Sequence, residues 1–363
     1  MFLAISSFVT LLLLASNELV VAHTHYHDTH HYHRHYHHHP RNHHDQDHSH
    51  HSRKQFHDKS ASPQRIITVD QSGNGDFSKI QSAIDSVPSN NKQWIHINVN
   101  AGTYREKLKI PEDKPYIMLK GMGKDKTFVE WDDHDSSAQS PTFLTMANDI
   151  VVKTISFRNS FNDPKKGTPM TPAVAAMISG DRSSFYGVGF YSLQDTLWDD
   201  KGRHYFNSCT IEGAMDFIFG AGQSLYESCS ISVREAYPGK AIIGFITAQG
   251  RMNADDENGF VFKNCNIHGV GKTYLGRPWR AFARVLFYKT TMSSIIQPLG
   301  WQPWNPTADV GGVEFSEYDN MGPGSSLSGR VSWLKKLDSS TLMKMTSTQF
   351  VDPEGWLKTH HML

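Results

Sequence analysis

Over residues 80–87 the apolar side chains Ile80, Ala83, Ile84 and Val87 fall at i, i+3, i+4 and i+7, the spacing of one helical face. This spacing predicts one short helix, placed to cap an end of the domain. Beyond it the pattern changes to short strand-like runs at residues 94–99, 116–120, 150–157, 185–191, 205–211, 225–233, 260–267 and 285–289, separated by Gly, Asn, Asp and Ser. Three runs repeat one motif at residues 206–211, 226–231 and 262–267: an aromatic residue, small or polar residues, a cysteine and a β-branched residue. Val188 precedes Cys209 by 21 positions and Cys209 precedes Cys229 by 20. A βαβ unit needs a longer period and a sandwich strand a shorter one, whereas about 20 residues suits one coil of a parallel β-helix. The pattern therefore predicts an all-β chain: a right-handed, single-stranded parallel β-helix, or solenoid, with a short N-terminal capping helix. Cys209, Cys229 and Cys265 then stack in an interior ladder as small buried side chains, in preference to a bridge.

Composition extends this picture to the whole chain. Of 363 residues, 38% are hydrophobic, with 20 Phe, 13 Tyr and 8 Trp, enough apolar surface for most of the chain to fold. A solenoid lengthens without thickening its core, so one large domain accommodates residues 61–363. Residues 8–21 are largely apolar and lead to Ala22, which marks residues 1–22 as a signal peptide, too short and too interrupted for a membrane span. The expected product is secreted, with no membrane span in the mature chain. Residues 23–60 form an expected disordered His-rich tail, since residues 23–58 hold 16 of the 22 histidines and almost no aliphatic side chains. The formal charge of zero hides this tract's behaviour, because histidine titrates near pH 6.5 and mild acid turns the tail into a polycation. A mute solvated tail, a pH-dependent anchor to a polyanion and a transition-metal binder all remain open.

The same period brings chemistry together. Residues one coil apart stack at the inter-strand spacing of roughly 4.8 Å, and Asp195 and Asp216 are 21 positions apart. Two exposed carboxylates stacked on the outer face repel, so their pKa values separate, giving one ionised nucleophile and one protonated acid. Gln194 adjoins the first, and its amide can donate to an oxyanion without entering the proton traffic. Arg277 and Trp279, in Leu275-Gly276-Arg277-Pro278-Trp279, offer a guanidinium that grips a carboxylate and an indole that stacks on a sugar face. Singly these features are ordinary turn formers and surface packing. Their combination points to a site.

From about residue 66 to 357 the chain resembles the plant-type pectin methylesterases, or pectinesterases. Four segments carry the resemblance: Gly102-Thr103-Tyr104-Arg105-Glu106, Gln194-Asp195-Thr196-Leu197, Asp216-Phe217-Ile218-Phe219-Gly220 and Leu275 to Trp279. The resemblance implies a secreted cell-wall enzyme that removes methyl esters from galacturonosyl residues of pectin, giving pectate and methanol. It assigns the proton donor to Asp195, the nucleophile to Asp216, the transition-state stabiliser to Gln194, and substrate contacts to Arg277, Trp279 and, more loosely, Thr142. The implied chemistry uses no metal and no cofactor. Methyl-esterified homogalacturonan is the implied partner, with a pectin methylesterase inhibitor protein as a further one, no nucleic acid, and a monomer as the working unit. The N-terminal residues are too few and too rich in histidine to build the inhibitor-like helical bundle that many such enzymes carry, so the form without that pro-domain is expected. One departure stands out. Pro172, 22 positions before Gln194, occupies the place of a second amide donor, and Met177 replaces an arginine. Loss of an oxyanion donor can cost on the order of 100- to 1000-fold in turnover. A weakly active or inactive pectin-binding wall protein is therefore the alternative, while a polysaccharide lyase is disfavoured by the lack of an acidic calcium cluster.

Overall fold

Each long strand-like run bends once, because a residue in the left-handed region stands within it: Thr154, Ser208, Ser228 and Asn264 have φ of 50°, 55°, 57° and 54°, and Lys289, at the end of the last run, has 51°. The bend divides every such run into two strands belonging to two different sheets. The computed structural model describes residues 65–134, 136–162, 169–235 and 243–363; the expected signal peptide and histidine tail lie outside them.

Among the described residues three parallel sheets run the length of the domain, with ten, eight and seven strands. The chain visits them in turn, once per coil, which is the expected right-handed parallel β-helix. In the central coils Ser183 pairs with His204 and Arg203 with Gln223, offsets of 21 and 20. Elsewhere the coils lengthen, so that Gln223 pairs with Gly259, an offset of 36. The regular period is thus local, since insertions between sheets leave the stacking of the strands intact.

Burial within this tube explains the spacing. Immediately after each corner comes an interior position, filled in successive coils by Ile155, Val188, Cys209, Cys229, Cys265 and Thr290, none more than 2% exposed. The three cysteines are free. Their thiols donate to the carbonyl oxygens of Phe185, Phe206 and Tyr226 at 3.4, 3.5 and 3.3 Å, and the Thr290 hydroxyl does the same to Phe262 at 3.3 Å. Three residues ahead of each cysteine begins an aromatic column, Phe185, Phe206, Tyr226, Phe262 and Phe287, with ring centroids 4.5 to 4.7 Å apart and nearly parallel planes. That separation matches the rise between parallel strands, so sheet register and ring stacking reinforce each other.

The predicted helix forms over Ile80–Asp85. Ile80, Ala83, Ile84 and Val87 all enter the core. Its first amides, Ile80 N and Gln81 N, donate to the Glu106 carboxylate at 3.0 Å each, supplying a cap from outside the helix. Tyr104, 1% exposed, donates to the Asn100 carbonyl. The segment Gly102 to Glu106 therefore ties the cap helix to the first coils. Two further helices, Ser339–Met345 and Trp356–Met362, were not anticipated from the pattern. They pack through Met345, Trp356 and Leu357 against Tyr205, Leu225, Val261 and Leu286 on the outside of the ten-stranded sheet. The strands of the seven-stranded sheet, three residues long in the central coils, were also missed.

Removing one ring from the column tests the role of the stack. Phe206→Ala should lower stability by about 3–5 kcal/mol in denaturant unfolding, whereas dithiothreitol should leave the wild-type melting temperature unchanged, because no bridge joins the cysteines.

Candidate active site

The seven-stranded sheet presents one row of side chains outward. Met177 lies beside Trp198, Trp198 beside Phe219, Phe219 beside Ala248 and Ala248 beside Arg277. Alternation within each short strand turns the neighbours inward: Leu197 and Ile218 are fully buried in the core. Val174, Trp198, Phe219 and Ala248, with Met177, Trp279 and Trp304 packed on them, make an apolar, largely aromatic floor.

Asp195 and Asp216 stand at the entry to two adjacent strands of this sheet. Gln194 bridges Met215 and Leu197 pairs with Ile218, so one 21-residue offset brackets both acids and sets them side by side. Both occupy the left-handed region, with φ of 62° and 46°, which turns their side chains out of the wall. Aspartate tolerates this conformation better than most residues, and such strain clusters at functional sites. The sequence pattern suggested exposed carboxylates; instead Asp195 is 7% and Asp216 8% exposed. The reason is that Ser137, from a loop in an earlier coil, covers one acid, while Arg277 covers the other.

Arg277 donates from Nε to Asp216 Oδ1 at 2.9 Å and from Nη2 to Asp216 Oδ2, a bidentate pair. Its guanidinium carbon lies 4.3 Å from the Phe245 ring centroid and 4.2 Å from that of Trp304, so the cation is held between two aromatic faces. The adjoining Gly276 lets its strand lie against Thr247 of the neighbouring one, since a Cβ there would lie 1.9 Å from Thr247 Oγ1. Asp195 is held differently. Ser137 Oγ donates to its Oδ2 at 2.9 Å. Burial and the neighbouring Asp216 charge push its carboxyl up to about 7, against the smaller opposing effects of Ser137 and Arg277. The two acids are thus unlike, one bound by a cation and the other favouring its protonated form at mildly acidic pH.

Around the acids, the other expected residues differ in how far they reach the groove. Gln194 is half-buried beside Asp195, and its side-chain amide makes no hydrogen bond among the described residues. Trp279 packs edge-on to Phe219, with centroids 6.0 Å apart, and Arg280 lies over it. Thr142 is fully buried, its hydroxyl donating to the Arg158 carbonyl at 3.0 Å. Ala176 pairs with Leu197 and Ala173 N donates to Gln194 O, so register puts Ala173 beside Gln194 and Pro172 beside Leu193. Met177 is half-buried in the aromatic floor. Ser137, Phe245 and Trp304 were missed. Trp198 and Phe219 carried a signal, since each follows an acid by three positions, Phe219 within a matched segment and Trp198 just after one; Ser137 and Trp304 carried none.

Beneath the floor, Asp199 accepts from His204 at 2.5 Å and from the Tyr226 hydroxyl at 2.5 Å, while the other His204 nitrogen donates to the Gly180 carbonyl at 2.8 Å. With an acceptor at each ring nitrogen, both His204 nitrogens donate; burial is the largest influence and lowers its pKa, but the Asp199 charge and hydrogen bond, the Gly180 carbonyl and Asp181 together raise it on balance. Gly220, with φ of 120°, comes so close to this strand that a Cβ would lie 2.0 Å from the Asp199 carbonyl oxygen.

Known proteins resemble this chain in sequence and fold. The pectinesterase family profile matches residues 66–358. Two Arabidopsis thaliana proteins, "Probable pectinesterase 55" and "Probable pectinesterase 29", are 53% and 52% identical to the chain, over 82% and 81% of it and 91% and 89% of their own length. Pectin methylesterase from carrot, 29% identical, superimposes with a TM-score of 0.77 over 83% of this chain and 96% of its own. Pectin methylesterase from Aspergillus niger, 28% identical, gives 0.70 over 82% and 97%.

The raised pKa of Asp195 has a consequence for stability. A carboxyl whose folded pKa lies above its unfolded value stabilises the fold fully below the unfolded pKa of 3.8, and that contribution is lost as pH rises through about 7. Asp195→Asn cannot ionise. It should therefore be more stable than wild type above pH 7, by on the order of 2 kcal/mol, with the advantage shrinking toward pH 4; calorimetric melts across that range measure it.

Proposed function

The chain belongs to the pectinesterase family and hydrolyses the methyl esters of pectin, and from that premise we propose that the Asp195, Asp216 and Arg277 cluster is where it does so. One observation carries the reading: Arg277 grips Asp216 with two hydrogen bonds beside a second carboxyl that burial keeps protonated up to about pH 7. Asp216 attacks the C6 carbonyl carbon of an esterified galacturonate, and the carbonyl oxygen becomes an oxyanion facing the uncommitted amide of Gln194. The C6–methoxyl bond then breaks as Asp195 passes its proton to the departing oxygen, releasing methanol and leaving Asp216 acylated. Asp195, now ionised, takes a proton from water, whose oxygen attacks the acyl carbon. The bond to Asp216 breaks, the product leaves as pectate, and the net change is one water consumed and one proton released.

The aromatic floor suits the ring faces of a galacturonan, and Trp279 extends it beside Arg277. Thr142, with its hydroxyl committed to Arg158, contributes by supporting the wall of the groove. Pro172 leaves Gln194 as the amide donor, which keeps weak turnover open as the alternative. We further assign residues 1–22 to export, residues 23–60 to a histidine-rich tail and residues 61–363 to the catalytic domain, acting as a monomer in the cell wall on methyl-esterified homogalacturonan. A pectin methylesterase inhibitor protein is the expected protein partner. No helix among the described residues is long and apolar enough to cross a membrane.

Asp216→Asn should reduce methanol release from methylated pectin by at least about 1000-fold while leaving the melting temperature near that of wild type; retained turnover would remove Asp216 from the nucleophile's role. The acid role of Asp195 predicts the pH profile. Since the protonated form gives up the proton in the first step, kcat/KM should fall as pH rises through about 7. A profile still climbing at pH 9 would exclude that role.

A further inference from the structure

The acid Asp195 is touched by a side chain that neither the motifs nor the mechanism invokes. Ser137 lies 58 positions earlier, is 3% exposed, and donates to Asp195 Oδ2 at 2.9 Å. A buried hydroxyl often bonds to whatever acceptor lies near it, which would make this contact incidental. The anchoring of its loop argues otherwise. Gln139 N and Ser140 N both donate back to the Ser136 carbonyl, forming one tight turn. That turn is pinned elsewhere: Ser140 Oγ accepts from Val174 N at 3.1 Å, and Asn159 Nδ2 donates to the carbonyls of Asp133, Ser140 and Val174 at 2.8, 3.3 and 3.3 Å. Ser140 and Asn159 are 0% and 3% exposed. The loop is therefore fixed to the wall of the groove without help from Asp195, and Ser137 is a donor aimed at the acid from a rigid support.

We infer that Ser137 is a positioning residue for proton transfer, holding Oδ2 of Asp195 so that Oδ1 alone carries and delivers the proton to the leaving methoxyl oxygen. Oδ1 makes no hydrogen bond among the described residues. With Oδ2 already accepting from Ser137, the proton resides on Oδ1. The charged groups facing this carboxyl are Asp216, which raises its pKa, and Arg277, which lowers it; the Ser137 bond also favours the ionised form. The hydroxyl thus has two effects, orienting the acid and restraining the rise of its pKa, which limits how long it stays protonated but eases its second task as a base. The inference rests on the assignment of Asp195 as the acid.

Ser137→Ala should shift the alkaline limb of kcat/KM upward by roughly one pH unit. It should lower kcat by about 10- to 100-fold with KM changed less than about 2-fold. Ser137→Cys, with a weaker donor, should fall between alanine and wild type, and keeps the test open if the alanine variant folds poorly. The carboxyl of Asp195, titrated directly by carbon-13 NMR and identified by its loss in Asp195→Asn, should move upward in both variants. An unchanged limb and an unchanged carboxyl titration in a folded Ser137 variant would overturn the inference. Retained turnover in Asp195→Asn would instead remove the acid assignment, and the NMR titration would still report whether Ser137 restrains that carboxyl.

Discussion

Two carboxyl groups buried one rung apart cannot both carry charge unless something compensates the second, and the candidate site is built around that conflict. Arg277 compensates one of them, Asp216, through a two-pronged bond, and does so from between the faces of Phe245 and Trp304. The other, Asp195, has only a neutral hydroxyl for a partner and retains its proton to about pH 7. Neither result follows from a single residue. Placed apart, both acids would be ordinary carboxylates; placed together without the guanidinium, the pair would share one proton with no fixed division of roles. The asymmetry of their partners supplies that division.

What fixes the separation is the solenoid. Strand pairing fixes the rise between coils, the stacked rings from Phe185 to Phe287 repeat that rise inside the tube, and the left-handed corner before each cysteine starts the next sheet in the same place. Coils of 36 residues and coils of 20 stack equally well, because added residues loop out between sheets. The two acids lie in the regular, short-coiled part, where no insertion disturbs the 21-residue offset.

This explains how much the sequence alone revealed. The 20- to 21-residue recurrence of Val188, Cys209 and Cys229 is a direct image of the coil, so the architecture, the cap helix and the stacking of Asp195 on Asp216 were all legible. The seven-stranded sheet was not, for strands of three residues such as Ala176–Ile178 are too short to show an alternation. Each corner was hidden inside what looked like one long strand, since Ser208 or Asn264 among apolar residues reads as a polar face, not a turn. Burial of the acids was misjudged for a related reason. Ser137 and Trp304 reach the site from distant coils, and only the folded path of their loops brings them there. The hydrogen-bond ladder adds a detail that motif spacing does not carry: Ala173 lies beside Gln194 and Pro172 beside Leu193.

The groove also shows how a strained site is kept. Asp195 and Asp216 both hold a backbone conformation that disfavours side chains, each is removed from water, and they repel one another. None of this stabilises the fold. The compensation comes from elements that take no part in the chemistry: the interior rings, the buried ion pair of His204 with Asp199 under the floor, and the cap that Glu106 gives to the first helix. All of these lie away from the acids' own side chains, in the interior, under the floor or at the first coils. That arrangement accounts for a motif of mixed character. In Asp216 to Gly220, Asp216 faces the groove, Phe217 and Ile218 fill the core, Phe219 paves the floor, and Gly220 admits the neighbouring strand. One five-residue segment thus joins the groove's chemistry to the packing that supports it, and neither part can be altered without cost to the other.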